Sequence, residues 1–331
     1  MKNLKENIDK GIISKSYLFF GEEEYLKKLY QDRLIKLIVP VGTEMMNLNI
    51  FEEKEFEINK FMDICETLPF MAEKRLVIIK NSELFKNGKK EDTEKLSDYI
   101  SKLSDSTVVL FIENEVDKRS KIYKTLQKNG SVTEFLPLKE NELTAWIKRE
   151  LKKGGKEIST KEIVYMLRTV GTDMELILAE IQKLISYSDK SIITQQDIDS
   201  ICTKSLETKI FDMLDAIGEK NPQTALDIYN NLLMIKETPI KILVMIIRQF
   251  RLLFQTKILT ESGAGTDLIA QRLSQRNFII KGLIQQSKNF SRQNLRAALE
   301  DCLETDLAIK TGKLSPEMAV ELIIIKYASN I

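Results

Sequence analysis

Hydrophobic positions in the first part of the chain come in short runs that alternate with amphipathic stretches. Apolar or alternating runs of strand length occur at residues 17–20, 47–51, 76–79, 108–112 and 132–136. Between them, apolar side chains recur at helical spacing in residues 23–39, 58–68 and 119–129. Strands that alternate with helices in this way predict a parallel α/β domain over residues 1–138.

The strand signals stop at Lys139, and the remaining apolar positions follow helical spacing. Residues 142–153, 160–169, 173–186 and 195–201 predict a small helical domain over residues 139–207. Longer helices, one of them beginning at Pro239, predict a helical bundle over residues 208–331. We expect the apolar stripes of these helices to pack internally. Two of the stripes are Ile240, Leu243, Val244, Ile247, Phe250, Phe254 and Ile258, and then Met318, Leu322 and Ile325.

One connection departs from this pattern because it is apolar where loops are usually polar. Leu68, Pro69, Phe70 and Met71 lie between the helix predicted at 58–68 and the strand predicted at 76–79. These residues could fold back onto the core of their own domain. They could instead enter a pocket of a partner, as exposed apolar clusters do. The residues alone leave both readings open.

Composition narrows the chemistry that the chain can perform. The 331 residues carry a net charge of +1 and include no histidine, which excludes histidine-activated nucleophiles. Cys65, Cys202 and Cys302 are far apart and predict reduced thiols rather than a metal site. Residues 1–10 are polar and no apolar run reaches the length of a membrane span, so we expect a cytoplasmic protein.

A strand followed by Gly21 and a helix is the frame of a P-loop, which makes an ATPase the obvious hypothesis. A P-loop needs Gly-x-x-x-x-Gly-Lys-[Ser/Thr], whose backbone amides and lysine hold the phosphates. Here Glu22, Glu23 and Glu24 follow Gly21, and there is no second glycine. We expect these glutamates to satisfy the helix end and to repel a triphosphate. The strand at 76–79 ends in Lys80 and Asn81 instead of an acid for magnesium, so we predict a degenerate site without cofactor or metal.

One part of the helical region is basic although the whole chain is nearly neutral. Residues 248–296 contain nine basic side chains and two acidic ones, a net of +7 in a chain of +1. The nine are Arg248, Arg251, Lys257, Arg272, Arg276, Lys281, Lys288, Arg292 and Arg296. This surface could be solvated, face another subunit or contact DNA phosphates, and the charge count does not separate these alternatives.

Several segments, by their order and spacing, resemble the clamp-loader branch of the AAA+ proteins, in particular the clamp-opening subunits of bacterial DNA polymerase III. They are YLFFGEEEYL (17–26), LPFMAEKRLV (68–77), DKRSK (117–121), PLKENEL (137–143), FDMLDA (211–216), RQFRLL (248–253) and DLAIKTG (306–312). The resemblance covers essentially the whole chain. It implies an AAA+-like parallel-sheet domain with a degenerate P-loop, a small helical lid domain and a C-terminal helical collar.

The resemblance also implies a binding site and partners. In this family an apolar pair in the helix-to-strand loop enters a pocket on the beta sliding clamp, which corresponds to Leu68, Pro69, Phe70 and Met71 here. Phe70 is one anchor, and because a proline stands where some relatives have leucine, Leu68 or Met71 is the second. The other implied partners are the tau/gamma ATPase subunits, the delta-prime subunit and, through the assembled ring, primer-template DNA.

We therefore interpret the chain as a non-catalytic, clamp-binding subunit of a complex that acts in DNA replication. That complex is classed as a DNA-directed DNA polymerase, which is a nucleotidyltransferase. Polymerase catalysis needs carboxylates that hold two metals, and the sequence offers no such pair. Two alternatives are an AAA+ ATPase with a divergent nucleotide site and a general DNA-binding protein. Micromolar ATP affinity would favour the first, and tight, salt-dependent DNA binding by the isolated chain the second.

Overall fold

The computed structural model describes residues 2–52, 56–86, 88 and 90–329. The chain divides into two compact units, Met1–Leu138 and Lys139–Ile331. The first unit combines strands and helices, and the second is helical apart from one short pair of strands. The further division into three domains stays a prediction.

A parallel sheet forms the centre of the first unit. Its strands are β1 (Ser16–Phe20), β2 (Leu48–Glu52), β3 (Arg75–Lys80), β4 (Thr107–Glu113) and β5 (Ser131–Glu134). The five strands are ordered β2-β3-β4-β1-β5, and all pairs are parallel. β3 and β4 are apolar and buried on both faces, as central strands of a covered parallel sheet are. The predicted parallel α/β fold is confirmed.

The helices of the first unit supply the rest of its core. They are α1 (Lys2–Asp9), α2 (Glu24–Ile38), α3 (Glu44–Asn47), α4 (Ile58–Glu66), α5 (Lys90–Ile100) and α6 (Lys121–Asn129). Phe61 of α4, Leu96 of α5 and Leu126 of α6 are buried in one cluster with Phe111 of β4. Helices α1, α3 and α5 were not predicted, because each carries too few apolar residues to show a helical period.

The second unit is built from eleven described helices. They are α7 (Glu140–Lys153), α8 (Thr160–Val170), α9 (Met174–Tyr187), α10 (Gln195–Ile201), α11 (Leu206–Gly218), α12 (Pro222–Met234), α13 (Pro239–Glu261), α14 (Thr266–Leu273), α15 (Asn277–Ser287), α16 (Arg292–Lys310) and α17 (Pro316–Ala328). The prediction that strands stop at residue 139 is wrong in one place, where β6 (Glu157–Ile158) pairs with β7 (Ile192–Ile193). Two-residue strands are too short to leave an alternating pattern. None of the described helices combines the length and apolar character needed to cross a bilayer.

The apolar stripes predicted for the long helices are only partly internal. The prediction is wrong for four residues, which are exposed: Ile240 and Val244 on α13, and Met318 and Leu322 on α17. On α17 the buried positions include Ile323 and Ile324, directly after Leu322. Because α17 is apolar on most of its sides, helical spacing could not decide which face is buried.

Candidate functional site

The 68–71 loop (Leu68, Pro69, Phe70 and Met71) connects α4 to β3 at the amino-terminal edge of the parallel sheet. Its apolar side chains face solvent: Leu68, Phe70 and Met71 expose 78%, 54% and 81% of their surface. The loop therefore does not fold back onto the core of its unit. An exposed apolar cluster of this kind is typical of an interaction surface.

A buried amide fixes the backbone of this exposed loop. Asn47, the last residue of α3, has 0% exposure. Its Nδ2 donates to the carbonyl oxygen of Phe70 at 2.8 Å, and its Oδ1 accepts from the backbone N–H of Phe70 at 2.7 Å. One side chain thus satisfies both hydrogen-bonding groups of Phe70. Asn47 was not predicted, since a single asparagine before a strand gives no signal of such a contact.

Buried Arg75, the first residue of β3, holds the neighbouring helix ends. Its Nη1 donates to the carbonyl oxygen of Ile64 in α4 at 2.5 Å, and its Nη2 to that of Met46 in α3 at 2.7 Å. The Thr107 hydroxyl donates to the carbonyl oxygen of Cys65 at 2.7 Å. These bonds satisfy carbonyl groups at the ends of α3 and α4. They give the loop a rigid base.

A second apolar patch lies next to the loop. Met45 and Met46 of α3 are both exposed, Met45 to 96%. Asn47 and Arg75 join α3 to the loop and to β3, so the two methionines and the loop lie at the same edge of the sheet. This patch was not predicted, although two adjacent methionines before a predicted strand were its available signal.

The predicted degenerate nucleotide site lies at the opposite, carboxyl-terminal edge of the sheet. Gly21 follows β1 with a φ of +115°, and a Cβ atom there would lie 2.4 Å from the carbonyl oxygen of Phe135. That carbonyl oxygen also accepts from the backbone N–H of Glu23 at 3.0 Å. In a P-loop, N–H groups at the start of the helix face the phosphates. Here one of them is already bonded within the chain.

Lys27 stands six residues after Gly21, at the place of the P-loop lysine, and the sequence analysis did not single it out. Its side chain is buried, and its Nζ lies 2.7 Å from Oε1 of Glu24. The same Nζ donates to Oδ1 of Asn114 at 3.2 Å and to the carbonyl oxygen of Glu113 at 3.4 Å. The ammonium group is therefore engaged by protein oxygens.

The predicted role of the three glutamates as caps of α2 is wrong in detail. Glu23 is the N-cap residue, but its side chain makes no capping hydrogen bond. Glu24 pairs with Lys27 instead, and Glu22 is exposed. The described contact of Glu24 is therefore an ion pair rather than a cap.

Glu113, at the end of β4, is a buried carboxylate at this edge that the sequence analysis missed. The backbone N–H and the hydroxyl of Ser82 donate to its Oε1 at 3.0 and 2.5 Å. Burial raises the pKa of Glu113 above its ordinary value, against the effect of the Ser82 hydrogen bonds. Lys80 lies alongside with Nζ 3.5 Å from a Glu52 carboxylate oxygen, and Asn81 donates its N–H to a carbonyl oxygen of β4. In the described part of the chain, no group of three or more acidic or cysteine side chains could hold a metal ion.

The nine basic residues of the helical region are spread over α13, α14, α15, α16 and the connections between them. Arg248 pairs with Glu207, Arg296 pairs with Glu300 at 2.9 Å, and the partners of Lys257 and Lys288 lie near the end of α15. The side chains of four others are exposed and form no ion pair or hydrogen bond within the described ranges: Arg251, Arg272, Lys281 and Arg292. Arg276 precedes α15 at its N-cap position. The structure therefore leaves about half of the predicted basic surface free for a ligand.

Comparisons with known proteins agree along the chain. The family model for the DNA polymerase III delta subunit matches residues 17–136, and the model for the C-terminal domain of that subunit matches residues 207–327. DNA polymerase III subunit delta of Bacillus subtilis (strain 168) is 31% identical over 329 residues, covering 97% of this chain and 95% of that protein. The solved structure of the Bacillus subtilis DNA clamp loader delta protein matches with a TM-score of 0.67 and 30% identity, covering 99% of each chain.

Proposed function

The chain belongs to the DNA polymerase III delta subunit family, and from this premise we propose that it is the subunit that binds and opens the beta sliding clamp. It binds the clamp through the 68–71 loop, favours the open state of the ring and helps to load it on primed DNA during replication in the cytoplasm. The fold prediction of an AAA+-like α/β domain followed by a helical region is confirmed by the likeness to the clamp loader delta protein.

The observation that carries the proposal is an exposed apolar loop on a fixed backbone. Phe70 and its apolar neighbours Leu68 and Met71 are exposed, whereas the backbone of Phe70 is held by buried Asn47. Burying one such side chain in a partner's pocket contributes about 1.5 to 3 kcal/mol. A loop that is already ordered loses less conformational entropy on binding, so more of this free energy appears as affinity.

The occupied carboxyl-terminal edge supports a role without catalysis by this chain. Lys27 bonds to Glu24, Asn114 and Glu113, where a P-loop lysine would face phosphate oxygens. A nucleotide would have to displace these contacts next to three glutamates. We propose that the tau/gamma subunits hydrolyse ATP and that this chain responds to them through its helical unit.

Exposed apolar side chains on the last helices are suited to contact those partner subunits. Leu303 and Leu307 of α16 are exposed at helical spacing, as are Met318 and Leu322 of α17. We propose that these positions belong to the collar that joins the tau/gamma and delta-prime subunits. The free basic residues Arg251, Arg272, Lys281 and Arg292 then act on primer-template DNA only within the assembled ring, since four separated cations give weak binding alone.

A calorimetric titration of the full chain with the purified beta sliding clamp tests the proposal. We expect Phe70→Ala to abolish measurable binding, and Leu68→Ala and Met71→Ala to identify the second anchor by the larger loss of affinity. Leu176→Ala is the matched control, because Leu176 of α9 is exposed to 54%, the same fraction as Phe70. If the parent does not bind, or if folded Phe70→Ala binds as tightly as the parent, the proposal is wrong.

A further inference from the structure

The contacts of α3 point to a residue that prepares the loop for its partner. We propose that Asn47 is a positioning residue, which holds the backbone of Phe70 so that the loop presents its apolar side chains to the clamp in a binding-ready conformation. The inference rests on the proposed function of the 68–71 loop. It adds a residue that lies in another element, 23 positions earlier in the chain, and is itself buried.

The chemistry of the contact determines how the Asn47 amide is oriented. The backbone nitrogen of Phe70 can only donate, so the Asn47 atom 2.7 Å from it is the acceptor Oδ1. The Nδ2 group then faces the Phe70 carbonyl oxygen at 2.8 Å, where it donates. Both bonds have ordinary lengths. The reverse orientation would place donor against donor and acceptor against acceptor.

The loop depends on these two bonds because residues 68–73 form no other hydrogen bond in the described part of the chain. Met71 adopts a left-handed backbone with a φ of +48°, which a residue other than glycine rarely adopts. Such a conformation persists only when surrounding contacts impose it. Asn47 supplies that contact at the preceding residue.

Loss of the Asn47 amide should therefore change the loop before it changes the fold. Without it, Phe70 and Met71 can leave the observed conformation, and the clamp has to order them again on binding. The apolar side chains themselves remain, so binding is weakened rather than abolished. This separates a positioning residue from an anchor such as Phe70.

The test uses the full chain with Asn47→Ala, and with Asn47→Leu as a second variant that keeps a branched side chain of the same number of heavy atoms but has no hydrogen-bonding group. We expect both to bind the purified beta sliding clamp about tenfold to thirtyfold more weakly than the parent, the loss expected for two net hydrogen bonds. Hydrogen exchange of the Phe70 amide, followed by mass spectrometry of the loop peptide, should become at least about tenfold faster, because that N–H loses its acceptor. A purely structural role would not change exchange at Phe70 selectively.

Ser97→Ala is the matched control. Ser97 of α5 is buried in the same unit and donates to the carbonyl oxygen of Thr93 at 2.6 Å, so its loss removes a buried hydrogen bond that is unrelated to the loop. We expect its clamp affinity and its Phe70 exchange to equal those of the parent. If the parent binds and both Asn47 variants bind equally well, or if Phe70 exchange is unchanged, the inference is wrong while the proposed function stands. If the parent itself does not bind, the proposed function fails and the inference fails with it.

Discussion

The two edges of the central sheet differ in what they offer to other molecules. At the carboxyl-terminal edge, Lys27, Glu24 and Glu113 are polar groups that bond to one another or to neighbouring protein atoms. At the amino-terminal edge, Phe70 and Met71 are apolar groups that contact water on a backbone held by Asn47. In AAA+-like folds the first edge is where a P-loop would bind a nucleotide.

The difference shows how a nucleotide-binding frame can serve as a scaffold. Lys27, which stands at the place of a P-loop lysine, makes internal contacts with protein oxygens, because a buried ammonium group needs such partners. The same sheet then presents a loop at its other end, whose cost of ordering is already met by the fold. Substitutions at the first edge should therefore alter stability, and substitutions at the second should alter binding.

The largest effect is expected for Gly21→Ala at the carboxyl-terminal edge. The added Cβ would lie 2.4 Å from the carbonyl oxygen of Phe135, at a φ of +115°. We expect a loss of about 3 kcal/mol or more in the free energy of unfolding, measured by urea denaturation. Gly11→Ala is the control. Gly11 also has a positive φ, of +70°, but no atom lies within 4 Å of the Cβ that the substitution would add. Its smaller loss measures the cost of a positive φ near +70° without a close contact, and equal losses would contradict the close contact at Gly21.

Phe70→Ala, at the amino-terminal edge, should weaken clamp binding and leave the stability of the fold almost unchanged. We expect the free energy of clamp binding to fall by about 3 kcal/mol or more, enough to remove measurable binding, as for an aromatic anchor in an interface. The free energy of unfolding should change by less than about 0.5 kcal/mol, since the ring is more than half exposed. Parallel titration and urea denaturation separate these effects. A large loss of stability would mean that the ring packs internally and would remove the contrast between the edges.

Lys27→Met is expected to destabilise the fold by about 1 to 3 kcal/mol, because it leaves the Asn114 and Glu113 oxygens without their donor. Lys36→Met is the control, because Lys36 is exposed in the last turn of the same helix, α2. An ATP titration of the parent and of Lys27→Met should show no binding in either case. Micromolar affinity for ATP in the parent, lost in Lys27→Met, would mean that this edge still binds a nucleotide and would favour the ATPase alternative.

The smallest expected effect concerns the pH dependence that Glu113 confers. Burial raises the pKa of Glu113 in the folded chain above its unfolded value, so the folded state holds the proton more tightly. This contribution to stability is present at pH values below the unfolded pKa and is lost as the pH rises through the folded pKa. Glu113→Gln removes this titrating group. As the pH rises from acidic to neutral, the free energy of unfolding of the variant should therefore increase relative to that of the parent. The measurement is urea denaturation of both proteins at several pH values. A difference in the free energy of unfolding that stays constant over this pH range would contradict the raised pKa of Glu113.

Much of the fold could be predicted from the sequence because its signals are local. The run in β3 and the spacing in α2 predicted a buried strand and a helix close to their observed bounds. Helix α5 escaped prediction because its buried residues Leu96 and Ile100 stand among charged ones, where the apolar spacing is weak. The exposure of Met318 was not predicted for the opposite reason. Because α17 is apolar on most of its sides, its spacing does not show which face is buried.

The candidate site divides in the same way. The apolar character of the 68–71 loop and the missing second glycine after Gly21 are visible in the sequence, because each is a property of adjacent residues. Asn47 and Glu113 were not predicted. Each acts on a residue 23 or 31 positions away, and no spacing rule connects such pairs.

The sequence by itself determined the alternation of strands and helices, the family and the absence of a complete P-loop motif. Hydrophobic period and motif spacing are local properties, and they are written in the order of the residues. Only the tertiary structure decided that Phe70 points to solvent while its backbone is held, and that Lys27 turns to protein oxygens. Both depend on which distant groups the parallel sheet brings together at each of its edges, and burial fixes their hydrogen bonds once they meet.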